Sequence, residues 1–270
     1  MKFAALAIAS ILSWATASQA VVLYSTGFDT VPASPAFAVG ALNAQNGWIS
    51  VNQVGADIVG LRVVTAASES IPASSGTQVI RSVSPTAVSD SRQAYIPLEN
   101  EFAARPAGEN VVVTSVRVYR PSSQTSDSSA HGVLSFSLPN ASLVSTLLGG
   151  FYFAPVDGAV VYASEVGTDA DSGLVIPTNT WTTVNLFADY NTGIGGVEIN
   201  GTVFQRSSFV PAFTPIFGDS DLFNFSASPT TVSTVYFDNY VVSTQTAIPE
   251  PASLGLAVAA IGLILRRKRV

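Results

Sequence analysis

The chain has 270 residues, of which 47% are hydrophobic and only 11% charged, against roughly a quarter charged in an ordinary soluble domain. Between residues 21 and 248, 7 arginines and no lysine stand against 17 acidic residues, a net charge of about −10. No basic face exists to neutralise phosphates, which excludes nucleic acid as a partner, and the lack of cysteine excludes disulfides, thiolate metal sites and cysteine nucleophiles.

Residues 1–20, MKFAALAIASILSWATASQA, have the pattern of an export leader. Lys2 supplies the positive start, residues 3–14 an apolar stretch, and Ser18-Gln19-Ala20 a small-x-small cleavage site. Cleavage after Ala20 leaves a mature chain beginning at Val21, where the sequence turns strand-like.

From residue 21 to 247 no stretch sustains the 3.6-residue apolar period of a helix. Short β-branched and aromatic runs recur instead, separated by Gly, Pro, Asn and Ser. Strands are predicted at 21–24, 58–64, 79–82 and 94–97. In 111–119 (VVVTSVRVY), Val112, Thr114, Val116 and Val118 share one face, with Ser115 and Arg117 on the other. Further strands are predicted at 132–138, 150–153, 160–164 and 181–190, the last placing Val184, Leu186 and Ala188 opposite Thr183, Asn185 and Phe187. Asn200-Gly201, between two apolar runs, marks a type I′ hairpin, which requires positive φ at both central residues. The run 232–243 places Val235, Phe237 and Val241 on one face. Ser-rich stretches 68–77 and 121–130 read as exposed loops. This pattern predicts a single all-β domain over 21–247, a two-sheet sandwich, jelly roll or barrel.

Residues able to do chemistry are few. Trp48, Tyr190 and Tyr240 are candidates for a stacking platform under a sugar ring. Glu99 and Glu101 follow Pro97 in what reads as a loop. His131 is the sole histidine; it sits beside a Ser-rich loop with no G-x-S-x-G elbow and reads as a surface residue. Glu165, Asp169 and Asp171, ahead of Gly173, offer hard oxygen ligands suited to calcium, the one cofactor the sequence suggests; Asp219-Ser220-Asp221 is a weaker instance. Asp29 and Asp238 would meet if the first and last strands pair.

The C-terminus begins Ile248-Pro249-Glu250-Pro251, continues through the apolar run 252–265 and closes on Arg266, Arg267, Lys268 and Arg269. That run of 14 residues spans roughly 21 Å as a helix, short of a bilayer core of about 30 Å. The basic cluster would hold its end at the cytoplasmic face. Pro-Glu-Pro, an apolar helix and a terminal basic cluster, in that order, resemble the PEP-CTERM sorting signal. The resemblance implies an exosortase as partner, passage through the membrane by the C-terminal helix, cleavage near Pro249–Pro251, and release to the cell surface or an extracellular matrix.

A second resemblance lies within the body. Trp181-Thr182-Thr183-Val184-Asn185-Leu186, Asp189 and Val197-Glu198-Ile199-Asn200-Gly201 are similar to a hairpin of laminin-G/concanavalin-like jelly rolls, as are the front (Gly27-Phe28-Asp29, Asn46-Gly47-Trp48) and the closing run 236–242. It implies a two-sheet jelly roll with Trp181 in the core. Glycosidases of that architecture carry paired carboxylates spaced as E-x-D-x-x-E, a pattern the chain lacks. With one histidine and no such pair, the expectation is a protein that is not an enzyme, has no catalytic residue, and serves at the surface or in an exopolysaccharide matrix, with polysaccharide as its ligand. Two alternatives stay open: a secreted glycoside hydrolase or lyase on the same fold, and a structural or adhesive envelope protein.

Overall fold

A computed structural model describes residues 20–29, 36–52, 60–85, 90–124, 129–138, 145–210, 216–226 and 232–248. In chain order the elements are β1 (Val21–Thr26), β2 (Gly40–Ala41), β3 (Ile49–Asn52), β4 (Leu61–Thr65), β5 (Gln78–Val83), β6 (Asp90–Tyr95), α1 (Glu99–Ala103), β7 (Val111–Tyr119) and β8 (Ser129–Ser137). They continue with β9 (Leu147–Phe153), β10 (Ala159–Ala163), β11 (Ala170–Val175), β12 (Thr182–Asp189), β13 (Ile194–Ile199), β14 (Thr202–Ser207), β15 (Phe217–Ser226) and β16 (Thr234–Gln245). The described residues are thus all-β, apart from the single turn of α1 in place of the expected loop. The expected leader helix and the tail with Pro249, Glu250, Pro251 and Arg266–Arg269 lie outside the described residues. Among the described residues no helix is long and apolar enough to cross a membrane.

Two antiparallel sheets face each other as a jelly-roll sandwich. One runs β14-β13-β12-β7-β16-β5-β4-β2, with β1 also paired to β16; the other runs β11-β10-β9-β8-β15-β6-β3. The alternation read from the sequence builds the first sheet. Val112, Val116 and Val118 of β7 and Val184, Leu186 and Ala188 of β12 enter the core, while Arg117 turns outward over the Trp181 ring. The β13–β14 hairpin turns on Asn200 (φ 52°) and Gly201 (φ 78°), as a type I′ turn requires.

The longest strand, β16, departs from simple alternation. Its register shifts between Asp238 and Val241, and Asn239 takes φ 49°. This bulge moves Tyr240 and Val242 into the core beside Val235 and Phe237, so Val241, expected with them, leaves that face. It also divides one edge of β16 between two partners: residues 234–237 pair with β5 and residues 240–244 with β1.

One end of the core is aromatic. Trp48 stacks 5.2 Å from Tyr240 and donates from Nε1 to Tyr24 Oη at 3.0 Å, while Phe28 and Phe37 close over it. Trp48 and Tyr240 are therefore sealed between the sheets and cannot form the expected sugar platform. Tyr190 is half-buried between Phe102 and Phe209 and belongs to the packing as well. Trp181 moves the other way. It precedes β12 instead of lying within it, and its ring rests half-buried on the outer side of the nine-stranded sheet against Tyr119, donating to Pro72 O at 2.8 Å.

Candidate functional site

The outer face of the seven-stranded sheet gathers titratable groups, because β15 sorts its side chains between core and surface. Ser220 Oγ meets Thr114 Oγ1 of the opposite sheet at 2.9 Å, and Asn224 Nδ2 donates to Ser82 Oγ at 2.9 Å. Both therefore point inward. Asp219, Asp221, Phe223 and Phe225, at the intervening positions, line the outer face.

Asp219 and Asp221, two residues apart on β15, lie on the same side of the strand and each perturbs the other's carboxyl. Asp221 is 4% exposed, and neither its Oδ1 nor that of Asp219 has a hydrogen-bond partner. Burial pushes both carboxyls up, Asp221 well above the ordinary carboxylate range, and their mutual repulsion raises Asp221 further. Two acids in one poorly hydrated site cannot both ionise, so the pair retains a proton where ordinary carboxyls have lost theirs. Glu99 of α1 adds negative charge that raises Asp219. Tyr95 of β6 is raised by burial, then by Asp219, Asp221 and Glu99. In the sequence Asp219-Ser220-Asp221 suggested a weak calcium loop. The structure places it on a central strand, where a two-residue spacing puts both acids on one face.

Further along the same face lies a cleft of 430 Å³ lined by Tyr152, Val161, Phe223 and Phe225, with Asp157 and Asp169 among its polar groups. Tyr152 Oη donates to Asp169 Oδ2 at 2.8 Å; burial and that carboxylate push the phenol up to about 12. The walls are predominantly apolar, and the acids offer acceptors to hydroxyl groups, a composition suited to sugar rings.

The other sequence candidates fall elsewhere. Glu165, Asp169 and Asp171 are all exposed, but Asp169 is engaged by Tyr152 and Asp171 Oδ1 accepts from Gly173 N at 2.9 Å. Among the described residues no three His, Cys, Asp or Glu side chains form a group able to hold a metal. Asp29 and Asp238 do approach, as the β1–β16 pairing brings them to one edge, with Ser75 Oγ donating to Asp238 and Asp29 Oδ1 accepting from Thr77 N and Gln78 N. Ala20 lies immediately before β1.

His131 is not a surface residue. It lies on β8 with no exposed area, its Nδ1 at 2.9 Å from Ser82 Oγ and its Nε2 at 2.8 Å from Ser233 Oγ. Burial depresses it to about 3, so it is a neutral link between the sheets with no route to a substrate.

No protein-family model matches the sequence, and no curated relative matches it. Solved structures do share its architecture. The conserved carbohydrate esterase from a Shiga toxin-encoding bacteriophage is similar over 84% of this chain and 99% of its own, with a TM-score of 0.52 and 15% identity. Endo-beta-1,4-glucuronan lyase from the fungus Trichoderma reesei is similar over 86% and 99%, with a TM-score of 0.51 and 9% identity. An alginate lyase from Chlorella virus has a TM-score of 0.49 at 13% identity over 77% and 99%. The first two likenesses establish the jelly-roll fold. They also remove the ground for the expectation that the chain is not an enzyme. Both are named as enzymes acting on carbohydrates, and the absent E-x-D-x-x-E spacing excludes only one arrangement of paired carboxyls.

Proposed function

We propose that this chain is an exported enzyme that cleaves glycosidic bonds of a polysaccharide on the outer face of its seven-stranded sheet. The observation that carries the reading is the Asp219–Asp221 pair, two carboxyls spaced two residues apart on the outer face of a central strand and both raised by burial. General acid catalysis requires such a group, since a glycosidic oxygen leaves only as it is protonated. The cleft beside Phe223 and Phe225 supports the reading by offering apolar surface in line with the pair. The solved structures of similar fold, an esterase and a lyase named for carbohydrate substrates, agree with a polysaccharide partner.

The termini add the route. The leader ending at Ala20 directs export, and the PEP-CTERM-like tail directs an exosortase to release the body at the cell surface or into a polysaccharide matrix, where its substrate lies. The enzymatic reading is tested by glycan cleavage. Asp219→Asn and Asp221→Asn should each lower kcat by about 10²–10⁴-fold while far-ultraviolet circular dichroism stays unchanged; full activity in both variants would refute it. Mass spectrometry of the mature protein tests the route: an intact Arg266–Arg269 end would refute processing.

A further inference from the structure

Resting on that reading, we infer that the substrate is a carboxylate-free polysaccharide, neutral or amino-bearing, and that its cleavage is hydrolytic. The cations of the body are few and lie away from the cleft. Residues 21–248 hold 7 arginines and no lysine, and all of these arginines lie among the described residues. Four belong to the nine-stranded sheet: Arg62 on β4, Arg81 on β5, Arg117 on β7 and Arg206 on β14. Arg81 pairs with Glu69 at 3.1 Å, Arg117 donates to Ser74 O, and Arg206 holds the carbonyl of Thr168. Arg105 is spent on Phe102 O, Glu109 O and Asn110 Oδ1. Arg120 is buried against the carbonyls of Ile176, Pro155 and Val156. Arg92 shares its register position with Asn224, which points inward, and donates to Val83 O. Among the described residues no arginine lines the cleft, and none figures among the groups that shift Asp219 or Asp221.

The same face gathers Asp157, Asp169, Asp219, Asp221 and Glu99. A uronate polymer brings one negative charge per sugar to this surface, and like charges placed together weaken both encounter and binding. Elimination from a uronate also needs the sugar carboxylate neutralised, so that the adjacent carbon can lose its proton, and the face offers no positive group for that task. Hydrolysis has no such requirement. The glycosidic carbon–oxygen bond breaks as the leaving oxygen takes the proton held by the Asp219–Asp221 pair. Water adds its oxygen to the sugar carbon and returns its spare proton to the pair, which ends the cycle as it began.

The experiment challenges the full mature chain with neutral β-glucan, partly deacetylated chitin, alginate and polyglucuronate at low salt. Reducing ends and ultraviolet-absorbing unsaturated ends are read in parallel. The expected result is reducing ends from a carboxylate-free polymer without unsaturated ends, with kcat/KM about tenfold or more above that for either uronate polymer. Cleavage of alginate or polyglucuronate with unsaturated products would overturn this inference while leaving the enzymatic reading intact. Failure on all four polymers by a folded protein would overturn the enzymatic reading itself.

Discussion

The Asp219–Asp221 pair and His131 lie on the two faces of the same sheet and respond to pH in opposite senses. Both acids have folded values raised by burial, so the stability tied to their neutral form is complete below the ordinary carboxylate range and is lost as pH rises through the folded values. Asp221→Asn keeps that position neutral. Its thermal midpoint should gain on the unmodified protein as pH climbs above the ordinary carboxylate range, and a constant gap would contradict the assignment. His131 is depressed from 6.5 to about 3. Its unfolded form binds a proton that the folded form refuses, so its stability is present above about pH 6.5 and lost as pH falls toward about 3. The groups that face it are the hydroxyls of Ser82 and Ser233 and the ring of Phe153, with Ser129 bonded to Ser233 and Asn224 bonded to Ser82; no carboxylate is bonded to the ring to offset its charge. Acid melting curves of His131→Gln should therefore fall less steeply with pH between about 6 and 4 than those of the unmodified protein.

At the scale of elements, the bulge in β16 decides which aromatic ring fills the core. One extra residue at Asn239 turns Tyr240 inward, where its hydroxyl donates to Ser220 O on the strand that carries the acid pair. The link holds β15 against β16 from behind, on the side away from Asp219 and Asp221. The positive φ at Asn239 is easy for Asn or Gly and costly for a β-branched residue. Asn239→Val should lower unfolding free energy by about 1–2 kcal/mol in urea titrations, whereas Asn239→Gly should be nearly neutral. An equal loss in both would place the cost in the Asn239 side chain, whose Oδ1 accepts from Ser75 Oγ, and not in the backbone.

For the whole molecule, stability without disulfides depends on the contact between sheets. Trp48 enters just ahead of β3 in the seven-stranded sheet and meets Tyr24 and Tyr240 of the nine-stranded one. Trp48→Ala removes a fully buried indole and should cost about 3–5 kcal/mol, read as a lower urea midpoint for the entire unfolding transition. A small effect, or loss of only one phase, would mean that the sheets do not depend on each other at this end. The net negative charge of the body acts at the same scale, keeping polyanions away from the acidic face before any specific contact forms.

Local pattern alone established the all-β class, the inward faces of β7 and β12 and the Asn200-Gly201 hairpin, because strand alternation and turn chemistry depend on near neighbours. It also located every cation and every acid of the body, which underlies the charge argument. Tertiary structure decided the rest. Whether Trp48, Tyr190, Tyr240 or His131 is open to solvent depends on which strand covers it, and those partners are up to 192 residues away in sequence, as for Trp48 and Tyr240. The register shift at Asn239 is equally silent in an apolar run, where either phase of the alternation would bury valines. Asp219 and Asp221 were visible as a short acidic motif. Only their placement on one face of a central strand, shielded from water, raises both carboxyls above the ordinary range.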